Sequence, residues 1–170
     1  MARVYLSLGS NLDPQCHLAA AVEALRERFG DLAVSPAYRS KAVGFDGADF
    51  VNLAVGLDTD LAPEPLNAWL HALEDRQGRR RDVPRYADRT LDIDIVFYDA
   101  LVIDGPGHLQ VPRNELQHAF VLRPIADIAP AFRHPVSGSS MAELWAAFPQ
   151  QREPLQVVPL AAPTLPGTTE

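Results

Sequence analysis

Apolar and polar residues alternate from Arg3 to Leu8 and give way to Gly9-Ser10-Asn11, which predicts an opening strand that runs into a turn. The period then lengthens. Leu18, Val22, Leu25 and Phe29 recur at helical spacing, with Asp13 and Pro14 ahead of them as cap and first turn and Gly30 behind them as the stop. Leu32 to Arg39 reads as a second strand, and residues 40–49, with two glycines and two aspartates, as a loop. Phe50 to Asp58 alternates cleanly: Val51, Leu53, Val55 and Leu57 face the core, while Phe50, Asn52, Ala54 and Gly56 face the other way. A second helix has Thr59 or Asp60 near its cap, Pro63 and Glu64 in its first turn, Leu66, Leu70 and Leu73 as its buried stripe, and Gly78 at its end.

Leu91 to Tyr98 carries the strongest strand pattern, with Leu91, Ile93, Ile95 and Phe97 on one face and Asp92, Asp94, Val96 and Tyr98 on the other. Beyond a Gly/Pro turn at residues 105–107, Ala119 to Ile128 reads as a helix despite Pro124, and Ser140-Met141-Ala142-Glu143 is a capping box opening a last helix to about Phe148. Five prolines between Pro149 and Pro166 describe an extended, mobile tail. With no repeat and no break in composition, the reading is one domain over residues 1–150 and a proline-rich tail over 151–170. Its strand and helix order is the βαββαβ pattern of a ferredoxin-like α+β sandwich, an antiparallel sheet with helices on one face and the other face available for a site.

Composition narrows the function. A chain of 170 residues, 47% hydrophobic, is large enough for one sizeable core. Its longest apolar runs, such as Ala19 to Val22, are far too short to cross a bilayer, and Met1-Ala2-Arg3 leads into a strand rather than a signal sequence, so a cytoplasmic address is expected. Cys16 is the only cysteine, which removes an internal disulfide and a thiolate metal site. The net charge of -7 argues against a nucleic-acid or anionic-membrane binder. Yet Arg76, Arg79, Arg80, Arg81, Arg85 and Arg89 crowd into one stretch that holds only Asp82 and Asp88 as counter-charges, which suits a small phosphorylated ligand. The single lysine, Lys41, is not preceded by the glycines of a P-loop.

The sharpest candidate chemistry is Asp92 and Asp94. Carboxylates at i and i+2 on a strand share a face, with α-carbons ~6.5 Å apart, and both can reach a pair of Mg²⁺ ions ~4 Å apart. Taken alone, the pair reads equally well as two solvated aspartates. The arginines at 79, 81, 85 and 89 shift that balance, because divalent metal and guanidinium converging on one place is what polyphosphate transfer demands. Phe50 and Asn52 share the face expected for the aspartates and suit a flat heterocycle, although ordinary packing accounts for them as well. His17, His108 and His134 show no convergent ligand spacing and read as surface residues.

Gly9-Ser10-Asn11-Leu12, Phe50-Val51-Asn52, Glu74 through Gly78-Arg79, Arg89-Thr90-Leu91-Asp92-Ile93-Asp94, Val111-Pro112 and Ala119-Phe120-Val121-Leu122 together resemble the 6-hydroxymethyl-7,8-dihydropterin pyrophosphokinase family, from residue 4 to about 148. The resemblance implies a ferredoxin-like fold and transfer of the β,γ-diphosphate of ATP to a pterin hydroxymethyl oxygen, with AMP released, in folate biosynthesis. By position it implies Asp92 and Asp94 as ligands of two Mg²⁺ ions, and Arg79 and Arg89 as the arginines that steady the transferring group. It places Ser40, Val43, Phe50, Asn52, Tyr86 and Phe120 around the pterin. His71, Glu74, Arg81, Arg89, Ile95, Arg113 and His118 fall on the ATP side. The implied partners are pterin and ATP, the expected state a monomer. One departure stands out: the family usually has histidine after Val-Pro and arginine before the Ala/Gly-Phe pair, whereas Arg113 and His118 stand here in exchanged places. A non-catalytic or altered-specificity pterin-binding paralogue is the alternative, and a DxD glycosyltransferase is disfavoured by the chain's length.

Overall fold

The computed structural model describes residues 1–41, 48–78, 90–105 and 109–160. Strands β1 (Ala2–Ser10), β2 (Ala33–Val34), β3 (Ala37–Ser40), β4 (Phe50–Thr59), β5 (Asp92–Tyr98) and β8 (Gln156–Val158) form one antiparallel sheet in the order β5-β1-β4-β3-β8, with β2 beside β3 against β4. A hairpin of β6 (Ile103–Asp104) and β7 (Gln110–Val111) stands apart. Helices α1 (Pro14–Phe29) and α2 (Pro63–Arg76) connect strands as the βαββαβ pattern requires, and α3 (Ala119–Ile128) and α4 (Met141–Ala147) follow β7.

The alternation of β1 and β4 explains why the sheet has two distinct faces. Val4, Leu6 and Leu8 meet Val51, Leu53, Val55 and Leu57 on one face, where Leu18 and Leu25 of α1 and Leu66, Leu70 and Leu73 of α2 close the main core. Each of these leucines is almost fully excluded from water, which contributes ~1.5–3 kcal/mol per side chain. On the opposite face Tyr5, Ala54, Val96 and Phe97 pack against Val121, Leu122 and Ile125 of α3 and Met141 of α4. The two helices of the βαββαβ unit thus share one face, as expected, while α3 and α4 cover only one end of the other.

Several local expectations change. The alternation of β5 breaks at Val96: Leu6 pairs with Ile95 and Tyr5 with Phe97, so Val96 is an extra residue in a bulge. Phe97 therefore joins the α3 side and Tyr98 the main core, the reverse of the sequence pattern. The strand expected over residues 32–39 is split at Ser35-Pro36, where proline lacks the N–H a continuous ladder needs. There Ser35 substitutes for the ladder, its N–H donating to the Ala54 carbonyl and its hydroxyl accepting from the Ala54 N–H at 2.8 Å. Asp13 makes no side-chain cap; it adopts a left-handed conformation (φ 49°) ahead of Pro14. The Ser140–Glu143 capping box is present in both directions.

Residues 151–160, assigned by composition to a tail, belong to the fold. Val158 is buried, and β8 pairs with β3 through Ala37, Tyr38 and Arg39. Residues 161–170 lie outside the described residues.

Glu74 is 2% exposed, and its carboxylate accepts the Ile93 N–H at 2.8 Å, pinning the start of β5 to α2. Glu74→Ala leaves that N–H buried without its charged acceptor, an expected cost of ~2 kcal/mol. The check is a lower urea midpoint at unchanged m-value.

Candidate active site

Residues directly opposite one another in an antiparallel sheet share a face. Gly9 lies between Asp92 on β5 and Asn52 on β4, and Tyr38 on β3 lies beyond Asn52, so Asp92, Gly9, Asn52 and Tyr38 form one row on the α3 face. With strands ~4.8 Å apart, Asp92 and Asn52 stand ~10 Å apart across the row. Asp94 begins the next row with Ser7, and Phe50 pairs with Ser40 on the far side of Asn52. The expectation that Asn52, Phe50 and the aspartates share a face is met through β1, which separates β4 from β5.

Gly9 is required in this row. A Cβ there would stand 2.5 Å from Asn52 Nδ2, so the amide lies directly over the glycine backbone. Asn52 is buried, and its Oδ1 has no hydrogen-bond partner among the described residues. A buried, unpaired acceptor on that face is a place for a ligand donor.

Helix α3 forms a wall beside the row. The Tyr38 hydroxyl donates to the Asp127 carboxylate and accepts from Arg123 Nε at 3.2 Å, and Arg123 also pairs with Asp127 at 3.2 Å. Phe120, Arg123 and Asp127 follow i, i+3, i+7 spacing, so Phe120 shares the helix stripe that meets Tyr38. His118 lies at the head of this helix, its ring 5.0 Å from that of Phe120.

The carboxylates sit in a strained electrostatic setting. Asp94 keeps 33% of its side-chain surface exposed, and Arg113 NH1 stands 3.7 Å from its Oδ1. Burial, then the neighbouring Asp92 charge, with Glu74 and Glu115 adding to it, pushes the Asp94 carboxyl up to about 8 against the pull of Arg113. Arg113 is itself held by Glu115, which accepts from Nε at 3.1 Å and from NH2 at 3.2 Å. Among the described residues no three His, Cys, Asp or Glu side chains cluster as a protein-only metal cage. Two carboxylates on one face are nevertheless the donor set that suits Mg²⁺, which retains waters and takes phosphate oxygens for its remaining positions.

The remaining candidates separate. Phe50, Asn52, Ser40 and Phe120 belong to the α3 face of the sheet and its wall. Glu74 approaches β5 from the α2 side, where His71 also lies, and the Ile95 side chain is buried in the main core on the face away from the aspartates. The exchanged pair diverges: Arg113 turns to Asp94, whereas His118 Nδ1 faces Glu153 Oε1 at 3.3 Å. Val43, Arg79, Arg81, Tyr86 and Arg89 lie outside the described residues. Sequence reasoning passed over Tyr38, Glu115 and Glu153. Glu115, two residues from Arg113 and of opposite charge, was locally visible; Glu153 acts across more than thirty residues of sequence and left no local signal.

Fold and site together define an α+β domain with a paired-carboxylate face beside the row from Gly9 to Tyr38. Residues 5–130 match the family model 7,8-dihydro-6-hydroxymethylpterin-pyrophosphokinase (HPPK). The chain is 46% identical over 153 residues to the 2-amino-4-hydroxy-6-hydroxymethyldihydropteridine pyrophosphokinase of Pseudomonas aeruginosa, covering 86% of this chain and 92% of that protein. Its counterpart of the same name in Haemophilus influenzae is 35% identical over 134 residues, covering 76% and 82%. The fold is similar to a Plasmodium falciparum HPPK-DHPS crystal structure with pteroate, at a TM-score of 0.68 and 13% identity over 85% of this chain; the chain spans only 42% of that longer protein. The chain belongs to the HPPK family.

Two expectations follow from the geometry. Gly9→Ala drives a Cβ into the Asn52 amide, with an expected loss of ~1–3 kcal/mol in urea denaturation; unchanged stability would mean the amide has another place to go. Because the Asp94 carboxyl titrates higher in the fold than in the unfolded chain, the native state binds the extra proton between the usual carboxylate range and about 8, and metal-free stability falls as pH rises through that window. Asp94→Asn, permanently neutral, removes this loss. Its Tm in EDTA is therefore expected to gain on wild type between pH 5 and pH 8.5, measured by thermal denaturation at both pH values.

Proposed function

We propose that Asp92 and Asp94 hold two Mg²⁺ ions beneath the phosphates of ATP while the row from Gly9 to Tyr38 seats the pterin. As a member of the HPPK family, the chain is a pyrophosphokinase of folate biosynthesis that transfers pyrophosphate from ATP to the hydroxymethyl group of 6-hydroxymethyl-7,8-dihydropterin. The observation that supports this assignment of residues is the shared sheet face: Asp92 and Asn52 flank Gly9 in one register, a carboxylate for the metal side and an orphaned acceptor for the heterocycle side.

In the reaction, the substrate hydroxymethyl oxygen forms a bond to the β-phosphorus as the bond from that phosphorus to the α,β-bridging oxygen breaks, and AMP departs with that oxygen. The hydroxyl proton passes to solvent or to a phosphate oxygen. When bound, the ions offset the negative charge gathered on the phosphates. Asn52 Oδ1 accepts a hydrogen bond from the pterin edge, and Phe120, Phe50 and Tyr86 provide ring surfaces. Ser40 and Val43 offer backbone contacts to the pterin edge. Arg79 and Arg89 steady the transferring group, with Arg81, His71, Glu74, Ile95, Arg113 and His118 on the nucleotide side. Positioning and charge supply most of the rate in such a loose transfer, so no strong general base is needed.

Arg113 keeps a cation beside Asp94, which preserves positive charge where the family more often has histidine. The domain extends beyond residue 150 to include β8. It works as a monomer in the cytoplasm; no helix among the described residues is long and apolar enough to cross a membrane.

Asp94→Ala is expected to abolish AMP release from ATP and hydroxymethyldihydropterin, a fall of at least ~10³-fold in kcat, in a coupled assay. Retained turnover in a folded variant would remove the aspartate pair from the mechanism.

A further inference from the structure

Glu153 connects a segment with no assigned role to the wall of the heterocycle row. It lies just after the 3₁₀ turn at Gln150–Arg152 and before β8, and it is held on the head of α3 by two contacts: Oε1 accepts the Ala119 N–H at 3.1 Å and stands 3.3 Å from His118 Nδ1. The carboxylate thus satisfies one of the N–H groups that a helix start leaves unpaired and places negative charge at the positive end of the helix dipole. The next residue in the chain is Phe120. Three residues beyond Glu153 the same segment begins pairing with β3, joining Arg39, Tyr38 and Ala37 to Gln156, Val157 and Val158. Residues 153–158 therefore touch both sides of the row: the α3 wall that carries Phe120 and the strand that carries Tyr38 and Ser40.

We propose that Glu153 is a positioning residue for the pterin, acting through the His118–Ala119 peptide to fix the rotation and height of Phe120 over the row. This rests on the assignment of Phe120 to the pterin given above. The effect falls first on the pterin, because Glu153 contacts neither Asp92 nor Asp94 and, among the described residues, its side chain meets only the Ala119 N–H beside Phe120 and the His118 ring. An ordering contact of this kind lowers the freedom a binding wall would otherwise lose when its ligand arrives.

The test is steady-state kinetics of Glu153→Ala and Glu153→Gln beside wild type, varying hydroxymethyldihydropterin and ATP separately, with Tm recorded for each. Glu153→Ala is expected to raise KM for the pterin about tenfold, the order of one charge-assisted hydrogen bond, with kcat changed less than about twofold and KM for ATP, which the loosened His118 ring can also touch, raised less than KM for the pterin. Glu153→Gln keeps a carbonyl oxygen for the Ala119 N–H and is expected to recover most of that loss. Equal KM values for pterin in all three proteins, or a loss in kcat that tracks a lowered Tm without a change in KM, overturns the role of Glu153 while leaving the pyrophosphokinase assignment intact. Failure of wild type itself to release AMP overturns that assignment and this proposal with it. If Glu153→Ala does not fold, Glu153→Asp decides: its shorter side chain keeps the charge but withdraws the acceptor from the Ala119 N–H, so a raised pterin KM is expected, and a pterin KM equal to wild type in that folded variant overturns the role.

Discussion

The register between β1 and its two neighbours is the constraint from which the site follows. Gly9 is opposite Asn52 on one side and Asp92 on the other, so a single residue without a side chain sets how far apart, and on which face, an amide and a carboxylate stand. The row can exist only because the antiparallel ladder puts opposed residues on one face and because Asn52 can lie across a bare backbone. A shift of one residue in either pairing would turn the polar set into the leucine and valine core. The hydrophobic pattern of β1 and β4 therefore fixes the functional face indirectly, by making every other register too costly.

Charge is organised on the same principle of deliberate imbalance. Four carboxylates, Asp92, Asp94, Glu74 and Glu115, bear on the edge near β5, and among them Glu74 and Glu115 already serve structural partners, the Ile93 N–H and the Arg113 guanidinium. Among the described residues, Asp94 has a distant share of Arg113, at 3.7 Å. Crowded carboxylates of this kind repel one another, so the edge near β5 is where an added positive charge would be most favourable.

Much of this was readable from residues alone, for identifiable reasons. Strict alternation located β1, β4 and most of β5, because each gathers its aliphatic side chains on one face; the leucine stripes of α1 and α2 and the Ser140–Glu143 box were equally local. What failed was non-local. Val96 and Phe97 are both apolar, so nothing in their identity shows that the strand accommodates an extra residue there. Asp13 and Pro14 look like a cap and first turn, yet the carboxylate is turned away by its left-handed backbone. Proline-rich composition around Gln156-Val157-Val158 hid a short strand whose partner lies in β3. In the site, the aspartate pair and Asn52 were legible by face, whereas the anchoring of His118 by Glu153 required the fold.

The bulge at Val96 lets one strand serve two hydrophobic layers in succession. Up to Ile95 its apolar side chains point toward α1 and α2; after the extra residue Phe97 points toward α3 and α4, where its ring packs at a tilt against Phe132 with centroids 4.7 Å apart. The length of β5 is thereby locked by both layers at once. Removing Val96 alone would regularise the ladder and keep Phe97 opposite Tyr5 on the α3 side, so the smaller layer would keep its aromatic ring but lose the aliphatic side chain beside it. The extra residue thus lets one strand deliver two consecutive apolar side chains to the same thin layer, which strict alternation cannot do.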